Sequence, residues 1–244
     1  MSKSTRVTDP NAKGGSAFIW AIVAVVVVAA VVIGYIVMSG QGKKTEHLAD
    51  RANIDVAFES DFSDSAVTIA AASPAADAPE VDLYEDYSCP YCSTLAQNTD
   101  EQMQEAVEAG ELIVNIRTLN FLDRGNIDGH STRAAAAALA VAEAGETDVF
   151  WNFRTVLMED QEDIYNKWSN DDFADAAQAL GASDGVVETI RSGEFISDAN
   201  TLAAANADKL EAETGSVSSP RVVQDGKDVE VEDINQWLDA VLGA

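Results

Sequence analysis

Val81–Cys92 reads VDLYEDYSCPYC, and this stretch decides the fold. Its first half alternates: Val81, Leu83 and Glu85 fall on one side, Asp82, Tyr84 and Asp86 on the other. A period of two is that of a strand. The period then changes. From Cys92 onward Leu95, Ala96, Thr99, Met103, Ala106 and Val107 recur at three- and four-residue steps, which gathers them on one helix face. Pro90 suits the first helical turn, where its missing N–H costs nothing. Gly110 ends the helix as a C-cap residue. Leu112–Leu119 (LIVNIRTL) reads as the next strand. Val81–Leu119 is thus a β-α-β unit with two cysteines at its strand-to-helix turn.

Cys89 and Cys92 are the only cysteines in the 244 residues. Disulfide exchange needs one exposed thiolate and a second thiol within reach of the mixed disulfide. At a helix start, Cys89 sits over unpaired N–H groups and the positive end of the helix dipole, which lowers its pKa. Cys92, one turn further, is shielded and attacks second. Two other readings stand beside this one. Half of a zinc site would need two more ligands, and His47 and His130 lie far apart without paired spacing. An inert bridge would close a tiny loop and stabilise little on chain-entropy grounds.

Working toward the N-terminus, Ala66–Ala71 (AVTIAA) is a strand and Ser73–Pro79 a turn-rich connection. Residues 39–64 are polar and read as a tether, with one helical turn around Glu46–Arg51. A flexible chain of that length has an r.m.s. span of about 25–30 Å. Ala17–Met38 runs 22 residues without a charge. As a helix it would reach about 33 Å, against a hydrocarbon core of about 30 Å. Trp20 and Tyr35 lie near its ends, where amphipathic rings favour the interface. A cleavable signal would have a shorter apolar stretch and a small-residue cleavage site. The expectation is an uncleaved transmembrane anchor over 17–38, behind a cytoplasmic tail at 1–16.

The whole chain carries a formal charge of −27, and beyond Met38 there are 12 basic and 41 acidic residues. Such a surface repels phosphate backbones, and no basic stripe offsets it, so nucleic acid is excluded as a partner. Basic residues flank the apolar run about equally: Lys3, Arg6 and Lys13 before it, Lys43, Lys44 and Arg51 after it. The positive-inside count is nearly tied. Redox chemistry at a cysteine pair persists outside the reducing cytosol, which places the C-terminal domain outside the cell.

Toward the C-terminus the strand signal stops. Ala134–Glu143, Thr147–Glu159, Asp171–Leu180, Ser183–Arg191 and Phe195–Glu213 read as helices, punctuated by Gly145, Gly181 and Gly193. His130 opens this block as a helix-cap residue; a lone histidine without an orienting partner makes a weak catalytic candidate. Arg221–Gln224 and Asp228–Val231 form a hairpin across Asp225-Gly226. Ile234–Leu242 closes the chain as an amphipathic helix carrying Trp237. The expected class is α/β: a thioredoxin-like core over 65–244 with an all-helical insert at about 130–214.

Asp86–Cys92 together with Gly215–Gly226 resembles the DsbA family of thioredoxin-fold proteins. The order Phe150-Trp151, Leu180-Gly181, Gly215, Ser219-Pro220, Asp225-Gly226 adds to the likeness, which covers roughly Ala66–Leu242. The resemblance implies that Cys89 and Cys92 are the catalytic pair and that Ser219-Pro220 is a cis-proline loop beside it, leaving the Ser219 backbone to pair with substrate. It also implies membrane-tethered relatives in Gram-positive bacteria. Two departures stand out. Pro90-Tyr91 replaces the usual Pro-His between the cysteines, so no histidine charge supports the thiolate. The buried acid often found six residues before the first cysteine is Leu83. Glu85 and Asp86 are the candidate proton acceptors in its place, or else merely hydrogen-bonded carboxylates. Arg221 reads as pairing with the acidic surface rather than with substrate.

The resemblance implies a membrane-anchored, exported oxidoreductase that introduces disulfides into thiol-containing secreted or surface proteins. Reoxidation would then fall to a membrane redox partner. No cofactor and no metal is expected. The alternatives are a reductase or isomerase running the same exchange, and a binding module with an inert disulfide.

Overall fold

The structure is a computed structural model, and it describes residues 19–29, 31 and 44–243. The expected cytoplasmic tail at 1–16 lies outside the described residues, as do positions 17, 18, 30 and 32–38 of the expected anchor. Residues 19–29 are helical with exposed side chains. Among the described residues no helix is long and apolar enough to cross a membrane.

Lys44–Ala244 forms one compact unit. Its sheet has six strands in the order β1-β2-β4-β3-β5-β6. These are β1 (Phe58–Ser63), β2 (Ala66–Ala71), β3 (Glu80–Glu85), β4 (Ile113–Thr118), β5 (Arg221–Gln224) and β6 (Lys227–Asp228). β3 and β4 are parallel, in register from Glu80↔Ile113 to Glu85↔Thr118, and the other pairings are antiparallel. Helix α1 (Pro90–Glu108) is the crossover between β3 and β4. It buries Cys92, Leu95, Ala96, Thr99, Met103, Ala106 and Val107, the face its periodicity marks. Gly110 follows with φ +73, the left-handed geometry that ends a helix without strain.

The tether and its boundary need correction. Phe58–Ser63 is an edge strand paired with β2 along its whole length. The turn between them is Asp64-Ser65, both at positive φ, as a type I′ hairpin requires. Phe58 is buried while Glu59 and Asp61 face water, the charged edge that discourages pairing with another chain. The segment before β1 is also docked. Leu48 is buried in a 3-10 turn at Glu46–Asp50. Lys44 pairs with Asp172 at 2.8 Å, His47 with Asp160 at 3.2 Å, and Arg51 with Glu159. From Lys44 onward the chain belongs to the domain.

The helical insert comprises α2 (His130–Glu143), α3 (Thr147–Glu159), α4 (Gln161–Ile164), α5 (Asn170–Ala179), α6 (Asp184–Ser192) and α7 (Ile196–Thr214). Ala134–Ala138 are all buried, so their small side chains let α2 sit close to its neighbouring helices. Ser169 and Asp172 form a capping box at the start of α5. His130 is not a cap. Gly129 holds that position, and the buried His130 ring packs edge-on against Tyr165 at 5.4 Å. The last hairpin turns at Asp225-Gly226 as expected, but β6 ends at Asp228 rather than Val231. The closing helix is split into a 3-10 turn at Ile234–Gln236 and α8 (Trp237–Leu242), with Trp237 fully buried.

Candidate active site at the Cys89–Cys92 turn

Strand β3 ends at Glu85, and after the four residues Asp86–Cys89 the chain enters α1. Cys89 is the N-cap residue, extended at φ −88 and ψ 113, and Pro90 takes the first helical position. The Cys89 N–H donates to the Asp86 carbonyl at 2.8 Å, while the Cys89 carbonyl accepts from Cys92 and Ser93. Both thiols are free. Tyr91 is 75% exposed, so the dipeptide projects into solvent above two sulfurs that are largely covered.

The two thiols have opposite acidities. Cys89 is lowered to about 6, chiefly because the Cys92 thiol hydrogen-bonds to its sulfur. Burial opposes this, and the Ser219 side chain and the backbone N–H groups of Tyr91 and Cys92 assist. Cys92 is pushed well up, first by burial and then by its neighbour Cys89. Such a pair keeps the outer sulfur as a thiolate near neutral pH and the inner one protonated. The Ser219–Pro220 bond is cis. It brings the Ser219 carbonyl to 3.5 Å from Cys89 Sγ, and Pro220 lines a small space next to Cys92.

Glu85 and Asp86 separate. Glu85 is buried and holds Arg154, whose Nε and Nη2 donate to it at 2.9 and 2.7 Å. It lines the same small space as Cys92. Asp86 faces elsewhere: its carboxylate accepts from the Ser88 N–H, the Ser131 hydroxyl and the Leu122 N–H. Burial raises it to about 6 despite these bonds. Asp86 therefore fastens the active-site turn to the start of α2. His130 stays neutral, lowered to about 4 chiefly by burial. Arg221 pairs with Asp228 and donates to the Ser216 carbonyl at 3.0 Å.

Three residues escaped the sequence reading. Gln161 on α4 donates to the Tyr87 and Cys89 carbonyls at 2.9 and 3.1 Å, so the insert holds the turn that carries the nucleophile. Arg154 and Asp100 meet at 2.6 Å beside Glu85. Arg154 had left a signal: it is the one charge in the largely apolar stretch Phe150–Met158, and a charge there demands a partner.

A family model described as Thioredoxin matches residues 70–241. Among solved structures, the chain is similar to MdbA, a thiol-disulfide oxidoreductase from Corynebacterium diphtheriae. That match has 48% identity and a TM-score of 0.77, over 79% of this chain and 98% of the other. MdbA from Corynebacterium matruchotii is similar at 43% identity and a TM-score of 0.74, over 77% and 94%. The serine/threonine-protein kinase PknE of Mycobacterium tuberculosis is 27% identical over 168 residues. That match takes in 67% of this chain, which spans only 29% of the kinase's length. With its cysteine pair at the helix start and a cis-proline loop facing it, the chain belongs to the thioredoxin family, among its thiol–disulfide oxidoreductases.

Proposed function

We propose that the protein is a membrane-anchored, extracytoplasmic disulfide oxidase acting through Cys89 and Cys92. The observation that carries this is the Cys89–Cys92 pair at the start of α1 with the cis Ser219–Pro220 loop against it, a setting that gives the two thiols opposed acidities. A substrate thiolate attacks Cys89 in the oxidised pair, a mixed disulfide forms, and Cys92 leaves. The substrate's second thiol then attacks its own bridged sulfur, releasing an oxidised substrate and a reduced enzyme. Cys89 is a good leaving group because its thiolate is stabilised, which favours the reduced enzyme and hence oxidation of the substrate. The Ser219 backbone beside the nucleophile supplies a strand-like edge for a peptide. Substrates of this reading are secreted or surface proteins with free thiols, and a membrane redox partner reoxidises the pair. The charge-free run over 17–38 and the extracytoplasmic need of the chemistry support the anchor and the location.

The equilibrium potential of the pair against glutathione tests the direction. Glutaredoxins lie near −200 to −230 mV and DsbA near −120 mV, so roughly −200 to −130 mV is expected here. A value below about −240 mV would make the protein a reductase.

A further inference from the structure

Cys92, Glu85, Asp100 and Arg154 line one small space together with Leu83 and Pro220. It measures about 10 Å³, room for one water molecule. Outside it, between α1 and α3, lies a groove of about 550 Å³ whose walls include Asp100, Glu101, Glu105 and Trp151. Ala96 and Asp100 line both. Asp100 is thus the ionisable side chain that borders the inner space and the outer groove together, and Leu83 contributes no proton-carrying group.

The charges beside Cys92 do not balance. One guanidinium, Arg154, serves two carboxylates, and Arg154 and Glu85 are almost completely buried. Arg154 donates to both oxygens of Glu85 but only to Oδ2 of Asp100, at 2.6 Å. Oδ1 of Asp100 is left to carry a proton. Burial pushes Asp100 up against the pull of Arg154, and the charges of Glu85 and Glu159 add to that push. The other titratable groups close to this cluster are Tyr87, whose hydroxyl is itself pushed up by burial, and Cys89 on the far side of Cys92.

We propose that Asp100, held by Arg154 and Glu85, carries the proton exchanged with the Cys92 sulfur through one water and passes it to solvent along the α1–α3 groove. This rests on the exchange chemistry proposed above. When a substrate thiolate bonds to Cys89 Sγ, the Cys89–Cys92 bond breaks and its electron pair goes to Cys92 Sγ. The proton that neutralises Cys92 comes from Asp100, which becomes a carboxylate and regains a proton from the groove. In the reverse direction the Cys92 thiol gives its proton to Asp100. Its thiolate then attacks Cys89 in the mixed disulfide, and the substrate thiolate leaves. Glu85 and Arg154 are positioning residues for Asp100.

The test is the rate at which dithiothreitol opens the Cys89–Cys92 disulfide, followed from acid to alkaline pH. Positioned acids and bases contribute at least about 10²-fold in full, so Asp100→Asn should slow opening by about tenfold or more and flatten its pH profile. The Cys89 thiolate midpoint should stay where it is, which separates a relay from general damage. Glu188→Gln, an exposed carboxylate on α6 outside the groove, should keep the wild-type rate. Infrared spectra of the protein at about pH 8, where Asp86 is ionised, should show a protonated-carboxyl band that Asp100→Asn removes. An Asp100→Asn protein with wild-type rate and profile overturns the relay, as does a band that survives the substitution. Should that variant not fold, absence of the band in wild type is decisive against the relay. A wild-type pair that never reacts with dithiothreitol or glutathione would defeat the exchange reading itself; normal wild-type exchange with an unaffected variant defeats only the relay.

Discussion

Strand β3 sends a buried carboxylate to each face of the sheet, and the two meet different company. Asp82 lies under α7, where Arg117 reaches it at 2.7 Å and Lys209 at 3.4 Å. Lys209 also pairs with Glu213. Two cations there face the covered carboxylates of Asp82 and Glu213, and Arg117 also reaches the exposed Asp64 at 3.5 Å. Glu85 lies under α1 and α3, where Arg154 alone answers Glu85 and Asp100. The covered charges of the first cluster balance, the solvated Asp64 aside, and it sits away from the cysteines. The second is one positive charge short and borders Cys92. A balanced buried cluster can only hold structure together. An unbalanced one must find a proton, and that makes it useful next to a thiol that gains and loses one.

The largest test of this contrast removes the cations. Arg154→Met leaves Glu85 and Asp100 facing each other without a counter-charge, and uncompensated buried charge costs about 3–5 kcal/mol. Arg117→Met leaves Asp82 with Lys209, so the loss should be nearer the ~1–3 kcal/mol of one unsatisfied group. Urea unfolding of both variants at pH 7 decides. An equal loss in the two would erase the distinction between the clusters.

The thiols themselves report the next effect. Cys89 is depressed to about 6, against about 8.5 for an ordinary cysteine in the unfolded chain. The resulting stability is fully present above about pH 8.5 and is lost as pH falls through about 6, a change of about 3 kcal/mol. Cys92, pushed up by burial, stays a thiol across that window. The reduced protein should therefore gain on the oxidised protein between pH 6 and 8.5, read as the difference in their urea midpoints. Parallel curves would mean that Cys89 carries no depressed titration.

Removing carboxylates sharpens the comparison at smaller cost. Asp82→Asn withdraws the charged partner that Arg117 and Lys209 share and should lose about 2–3 kcal/mol, as expected when a hydrogen-bonded or charged partner is removed. Asp100→Asn instead balances its cluster, leaving one guanidinium on one carboxylate. Its stability at pH 7 should change by less than about 1 kcal/mol. Thermal or urea unfolding separates the two, and a large loss from Asp100→Asn would show that both carboxylates are needed ionised.

Much of this was legible in the chain, and what was not follows a rule. Val81–Leu119 could be read because period two gives way to period three-and-four within a dozen residues. Cys89 and Cys92 stood out by spacing, and Ser219-Pro220 by its place after the helical insert. β1 stayed hidden because its I′ turn uses Asp64-Ser65 rather than a glycine, and because Glu59 and Asp61 gave the segment the look of a tether. Alternation put Glu85 on Leu83's side of the strand, toward Cys92, but could not say that Asp86 would turn to Ser131 instead. Asp100 sits in the polar run Asn98–Gln102 and looks like surface. Its meaning depends on Arg154, 54 residues away on another helix, and no local pattern encodes that meeting.

The smallest expected effect adds a charge to the open side of the pair rather than to the buried one. Tyr91 is 75% exposed, so a charged histidine in its place would stand largely in water. Its attraction for the Cys89 thiolate would be screened there, unlike that of Arg154 for its carboxylates. It would still favour the thiolate, hence the reduced state, and raise the potential. Tyr91→His should shift it upward by about 30 mV at most, or ~1.4 kcal/mol for two electrons. The shift should fall with added salt, because the new charge is exposed. The potential against glutathione at low and high ionic strength measures both. A salt-independent rise would place the histidine in a covered site, and a fall in potential would mean that Tyr91 itself stabilises the reduced pair better than a cation does.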